Sequence, residues 1–157
     1  MGVLSINSMW PFSRKKNDKW AGSDEVDGDT LKWMLEVRGA TNPYAYDDKY
    51  RRLTEKQMRD FVFKYHKSAA QTPHRKNVAD CDDFAMLAKA DIIRGQIEEG
   101  FEIPVMFGLM SAEMESGPDH AFNFTILSDG RLALYEPQKQ EWRFDTKRIK
   151  KIKKVDF

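Results

Sequence analysis

Asp80-Cys81-Asp82-Asp83-Phe84-Ala85 opens the longest helical pattern in the chain and carries its single cysteine. Phe84, Ala85, Ala88 and Ile92 recur behind Cys81 at helical spacing, flanked by Leu87, Ile93 and Ile97, and Gly100 supplies a stop. The spacing predicts a helix from about Asp80 to Glu99 with Cys81 at its head. Asp82 and Asp83 fall in its first turn, where the positive end of the helix dipole favours carboxylates.

Downstream the pattern becomes β-like. Ile103 to Met110 reads as a short apolar strand and Ala112 to Asp119, with Gly117-Pro118, as a polar loop. His120 to Leu127 and Arg131 to Glu136 read as a hairpin around Ser128-Asp129-Gly130, and Glu141 to Asp145 as a further strand. A three-residue loop puts Gly130 in the left-handed conformation that such loops favour. In that register Leu127 faces Arg131, Phe124 faces Leu134 and Phe122 faces Glu136. His120 and Glu136 then share one sheet face as diagonal neighbours. A two-residue loop would put them on opposite faces. The three-residue loop is the expectation, and the Phe122-Phe124-Ile126 stripe is expected in the core.

Upstream, Thr54-Glu55-Lys56-Gln57 is a capping box, followed by Met58, Phe61, Val62 and Tyr65 at helical spacing. That helix should fade near Ser68. Thr30 to Val37 fits a short helix or a strand. Residues 1–28 read as a flexible N-terminal extension. It is either a mobile arm or a docking segment anchored by Trp10, Phe12 and Trp20. Residues 29–157 read as one catalytic-type domain with a basic C-terminal segment. Helices come first and sheet second, so the expected class is α+β, with helices packed on an antiparallel sheet.

Bulk properties narrow the function classes. A formal net charge of +1 gives no electrostatic case for nucleic acid. The lone cysteine excludes an internal disulfide framework and any CxxC zinc or redox motif, and fits a reducing compartment. No apolar run approaches the ~20 residues of a transmembrane helix. The N-terminus lacks the pattern of a secretory signal, so a soluble, cytoplasmic protein is expected. Met1-Gly2 opens like a myristoylation site, but Ile6 stands where Ser or Thr is needed. Lys147 to Lys154 reads as a solvated face or, alternatively, as a surface for an anionic partner. His66 and His74 are expected on the surface.

The chemistry follows from three residues. A thiol reacts as thiolate, which a helix N-terminus and a neighbouring imidazolium both stabilise. Cys81 has the first by position and His120 would supply the second, moving the proton onward. Glu136 is the candidate to hold the imidazole tautomer. Cys81 alone would read as a small buried hydrophobe; the three together read as a catalytic site. Asp80, Asp82 and Asp83 crowd the thiol with negative charge that opposes a thiolate. Asp82 and Asp83 are helix N-terminal charges first and metal ligands second, calcium being the natural cation for clustered carboxylates.

Asp80 to Ala85, then His120-Ala121-Phe122-Asn123-Phe124-Thr125, then Leu134-Tyr135-Glu136-Pro137-Gln138 together resemble the C-terminal protease domain of the Marasmius oreades agglutinin family. The resemblance covers roughly residues 50 to 145. It implies a papain-like, calcium-dependent cysteine protease with a Cys-His-Glu triad. On its blocks Cys81 matches the nucleophile, His120 the base and Glu136 the orienting acid, with Asp82 and Asp83 the acidic pair beside the nucleophile. The first block is also similar to bacterial transglutaminase-like cysteine proteinases, whose triad ends in Asp; Glu136 favours the agglutinin type. No β-trefoil segment is present, so sugar binding does not carry over. No glutamine stands at the papain-like spacing before Cys81. Gln71 and Gln138 are the candidates for the oxyanion site, beside the Cys81 amide.

The expected function is therefore a cysteine peptidase of papain-like or transglutaminase-like core, hydrolysing peptide bonds through a thioester. Its partner is a peptide or protein substrate, its implied cofactor is Ca2+, and no organic cofactor is expected. The alternatives are a transglutaminase-like amidase or transamidase, and a non-catalytic peptide-binding module that keeps the fold.

Overall fold

The computed structural model describes residues 18–75 and 80–157. After a short 3-10 turn, Asp18–Trp20, come β1 (Asp24–Asp27), α1 (Gly28–Glu36), β2 (Lys49–Arg52), α2 (Glu55–Tyr65), α3 (Ser68–Gln71) and α4 (Cys81–Glu99). Then follow β3 (Gly108–Met114), β4 (His120–Ile126), β5 (Leu132–Glu136), β6 (Glu141–Arg143) and β7 (Ile149–Asp156). β3 to β7 form an antiparallel sheet in the order β6-β5-β4-β3-β7, and β1 and β2 pair as a separate antiparallel ribbon. The class is α+β, as the order of elements predicts.

The sheet is covered on both faces. Phe124, Ile126, Leu132 and Leu134 pack with Leu31 and Leu35 of α1, together with Tyr50 and Phe157. On the opposite face Leu127, Ala133 and Tyr135 meet Met58, Phe61 and Val62 of α2 and Ala88 and Ile92 of α4. β4 alternates Phe122-Asn123-Phe124-Thr125-Ile126, a pattern that suits one buried face, yet all five residues are buried. Its polar members compensate by bonding backbone carbonyls. Asn123 Nδ2 donates to Ala85 O at 2.9 Å and Gly108 O at 3.2 Å, and Thr125 Oγ1 donates to Met106 O at 2.6 Å.

Local signals set the helix boundaries. Gln57 N donates to Thr54 Oγ1 at 3.3 Å and Thr54 N to Gln57 Oε1 at 2.9 Å, which closes the expected capping box. Gly100 ends α4 with a left-handed φ of 70°. Where α2 crosses α4, a Cβ on Gly95 would lie 2.4 Å from the Tyr65 ring, so only glycine allows that approach.

Several expectations are corrected. Of the two readings left open for Thr30 to Val37, the helix is the one observed, α1 ending at Glu36 with Val37 as its C-cap. Residues 18–28, assigned above to the extension, are tied to the domain: Trp20 packs on Phe61 and Phe101, and β1 pairs with β2. The proposed anchors Trp10 and Phe12 lie outside the described residues. The strand expected over 103–110 begins at Gly108, because Met106 N bonds Arg51 O instead. It runs on to Met114, into the segment read as a loop, because β7 pairs along it. Lys147 to Lys154 contributes most of that edge strand, with Ile149, Ile152 and Val155 packed against the core and the lysines outward. His66, expected on the surface, is 3% exposed and bonds Tyr135 Oη through Nδ1 at 2.6 Å. His74 is exposed. No described helix is long and apolar enough to cross a membrane.

Asp91 holds the start of α3 against α4. It is buried and accepts from Lys67 N, Ser68 N and Ser68 Oγ, with Arg94 beside it. Burial pushes its carboxyl upward, but these donors outweigh burial and hold it below the usual range. Asp91→Ala should lower stability by about 2–4 kcal/mol near neutral pH in urea unfolding. A depressed carboxylate stabilises above its unfolded pKa and loses that contribution as pH falls through the folded value. The gap between wild type and variant should therefore narrow in acid.

Candidate active site

Cys81 is the first residue of α4 and carries a free, partly buried thiol. Asp80 caps the helix, and Asp83 returns the cap by accepting from Asp80 N at 3.2 Å. Asp83 is thereby committed to the helix start. The ligand atoms that do converge are those of Asp80, Cys81 and Asp82, all within 4.8 Å of one another. Of the acidic pair expected beside the nucleophile, Asp82 belongs to this cluster and Asp83 does not. A hydrogen bond with Asp82 pushes Asp80 upward, and the same bond holds Asp82 down. Two carboxylates in contact share a proton in this way, or take a cation.

His120 opens β4 and Glu136 closes β5. Gly130 has a φ of 84°, Leu127 N bonds Arg131 O, and Phe124 faces Leu134, which is the three-residue-loop register. His120 Nε2 meets Glu136 Oε2 across that hairpin. Glu136 is 4% exposed, and its Oε1 is buried without a partner. The Phe122 ring stands edge-on to His120 at 4.6 Å. With Nε2 engaged by the carboxylate, Nδ1 is the nitrogen left to exchange a proton.

Cys81 and His120 line one cleft of about 520 Å³, with Asp82, Met86 and Lys89 of α4 on one side and Leu109 to Ser111 of β3 opposite. Ala121, Asp119, Tyr46, Lys154 and Asp156 complete it. Gln71 and Gln138 are not among its lining residues. Gln71 is exposed at the end of α3, and Gln138 sits in the turn after β5 rather than on a strand face with Glu136. The backbone N–H of Cys81 lies in the first turn, where helix amides lack intrahelical partners.

Sequence reasoning missed a buried residue that ties α4 to the sheet beside this site. Asn123 reaches from β4 to Ala85, one helical turn from Cys81, and is fully buried. The sequence signal was present: a lone amide within the Phe-Asn-Phe-Thr-Ile alternation. Its significance depended on a helix covering that face.

The family model described as Agglutinin C-terminal matches residues 50–142. Among solved structures the chain is similar to one titled a PSL1a–E64 complex, at 23% identity and a TM-score of 0.72, over 85% of this chain and 51% of that one. It is also similar to the Polyporus squamosus lectin bound to a human-type influenza-binding epitope, at 21% identity and a TM-score of 0.69, over 85% and 49%. The chain spans about half the length of those chains, and at these identities the likeness shows the fold. No curated protein sequence matches the chain.

Asn123→Ala should lower stability by about 2–3 kcal/mol in urea unfolding.

Proposed function

The chain belongs to the Agglutinin C-terminal family, and we propose that it is a cysteine peptidase in which Cys81 is the nucleophile, His120 the general base and acid, and Glu136 the orienting carboxylate. The observation that carries this reading is the His120 Nε2 to Glu136 Oε2 contact, on a histidine that shares a cleft with a helix-head thiol. An E64 complex of a chain with this fold supports it, E64 being an inhibitor of papain-like cysteine proteases.

The steps follow from the atoms present. His120 Nδ1 takes the Cys81 proton, and Sγ attacks the scissile carbonyl carbon to give a tetrahedral oxyanion. The Cys81 N–H and the positive end of α4 face that charge. The intermediate collapses, the C–N bond breaks, and the leaving amine takes the proton back from His120. Water then gives its proton to His120 and attacks the thioester; the acid leaves and Sγ recovers its proton. Glu136, almost wholly buried, holds Nε2–H and balances the imidazolium in both halves of the cycle.

Asp80 and Asp82 fit a hard divalent cation, being oxygen donors brought into contact. Calcium there would offset the negative field beside Cys81, and it is part of this proposal. Cys81 itself is a soft donor and serves as nucleophile, not ligand.

The test is the rate of Cys81 alkylation by iodoacetamide between about pH 5 and about pH 9, for wild type, His120→Ala and Glu136→Gln. Wild type should react fast down to about pH 6, whereas His120→Ala should follow an ordinary thiol with a pKa near ~8.5. E64 should label wild type at Cys81 and leave His120→Ala unlabelled. Chelation of calcium should slow wild type, and Asp82→Asn should remove that dependence. Ordinary-thiol behaviour of wild type with and without calcium, and no E64 adduct, would overturn the peptidase reading.

A further inference from the structure

The cleft has two electrically different ends. At the Cys81 end stand Asp80 and Asp82, with Asp119 nearby and bonded to Lys153. At the other end stands Lys89. Among the described residues its ammonium makes no ion pair and lies 5.0 Å from the centre of the Tyr46 ring. The carboxylate facing it from β7, Asp156, is bonded to Lys154 at 2.7 Å. Asp47 also acts on it from the loop after α1, and Lys154 of β7 lines the same cleft. Burial lowers the Lys89 pKa, and those two carboxylates only partly oppose this. A half-buried ammonium without an ion pair, held in a substrate cleft, recognises an anion.

Position follows from helix geometry. Lys89 is eight residues beyond Cys81 on α4, an axial rise of about 12 Å. Helical side chains lean toward the N-terminus, which returns the ammonium by part of a turn toward Cys81. An extended peptide advances about 3.3 Å per residue. An anionic group reaching Lys89 therefore belongs to the second or third residue from the bond at Cys81. Met86 lies between them on the same wall and offers an apolar surface to the intervening residue.

Resting on the peptidase reading above, we propose that Lys89, with the Tyr46 ring beside it, forms a specificity subsite for an Asp or Glu side chain two or three residues from the scissile bond.

A quenched-fluorescence peptide series tests this, with Glu or Gln placed at each successive position of an otherwise neutral sequence. At one position, two or three residues from the cleaved bond, Glu should exceed Gln by about tenfold in kcat/KM. Lys89→Met should bring that ratio toward one, and Lys89→Glu should reverse it in favour of Gln. A ratio of one at every position in wild type, or one unchanged in Lys89→Met, overturns the subsite and leaves the peptidase reading standing. Anisotropy binding of the same peptides to Cys81→Ala and to Cys81→Ala with Lys89→Met needs no turnover. A Glu preference lost with Lys89 supports the subsite even if no peptide is cleaved, and equal binding of Glu and Gln peptides overturns it. Loss of the peptidase reading itself appears separately, as ordinary-thiol behaviour of Cys81.

Discussion

The arrangement of the site depends on one buried amide. Asn123 has no exposure, so its two N–H donors must find partners inside the protein. It gives them to Ala85 on α4 and to Gly108 on β3, joining helix and sheet at a single side chain. Ala85 O is also the acceptor that the helix ladder offers to the amide four residues on, so the bond fixes α4 without interrupting it. Gly108 is required for the same geometry: a Cβ there would lie 2.4 Å from the Phe124 ring and 2.6 Å from Asp156 O. Cys81 stands one turn before Ala85, and His120 stands three residues before Asn123. Asn123 thus ties the helix that carries Cys81 to the strand that carries His120.

Electrostatics divides the remaining work. Glu136 is held in the interior with one oxygen on His120 and the other without a partner. Its charge is felt next door: burial pushes Tyr135 upward and Glu136 adds to it. That keeps Tyr135 neutral and available to His66, whose own pKa burial drives down. The negative charges on the two sides of Cys81 therefore differ in kind. Glu136 acts through an imidazole in a low dielectric, while Asp80 and Asp82 act directly and are more open to water and ions.

What the sequence revealed was local. A capping box, two acids in a first turn and a glycine at a left-handed hairpin position each specify geometry within a few residues. They placed α2, α4 and the β4–β5 register, and hence His120 diagonal to Glu136 on one sheet face. What it concealed was long-range. β1 and β2 are short and polar, Asp24-Glu25-Val26-Asp27 and Lys49-Tyr50-Arg51-Arg52, and owe their pairing partly to the Arg52–Asp24 and Arg51–Glu25 ion pairs. β7 hides its Ile149, Ile152 and Val155 period among lysines, which protect an edge strand. His66 and Asn123 look like surface residues until a helix or a tyrosine covers them. Gln71 was chosen by nearness along the chain and Gln138 as a strand-face neighbour of Glu136, whereas Gln138 lies in the turn beyond β5.

The far end of the cleft comes from parts of the chain that local reading could not join. Tyr44 N bonds Val155 O at 2.9 Å and Phe157 N bonds Tyr44 O at 3.0 Å, which lays the loop after α1 along the end of β7. Tyr50 Oη accepts from Tyr46 N at 3.0 Å and donates to Phe157 O at 2.8 Å, so one buried phenol positions both segments. Burial is the first cause of that phenol's raised pKa, so it remains a donor over the physiological range. Tyr46, Lys154 and Asp156 reach the cleft on this framework. Asp156 is held by Lys154, and that bond keeps the carboxylate from simply neutralising Lys89. An extended chain lying along α4 meets acidic groups beside the thiol and an ammonium further on. The same polarity favours a single direction of binding, because a peptide reversed in the cleft would bring its acidic residue away from Lys89 and toward Asp82.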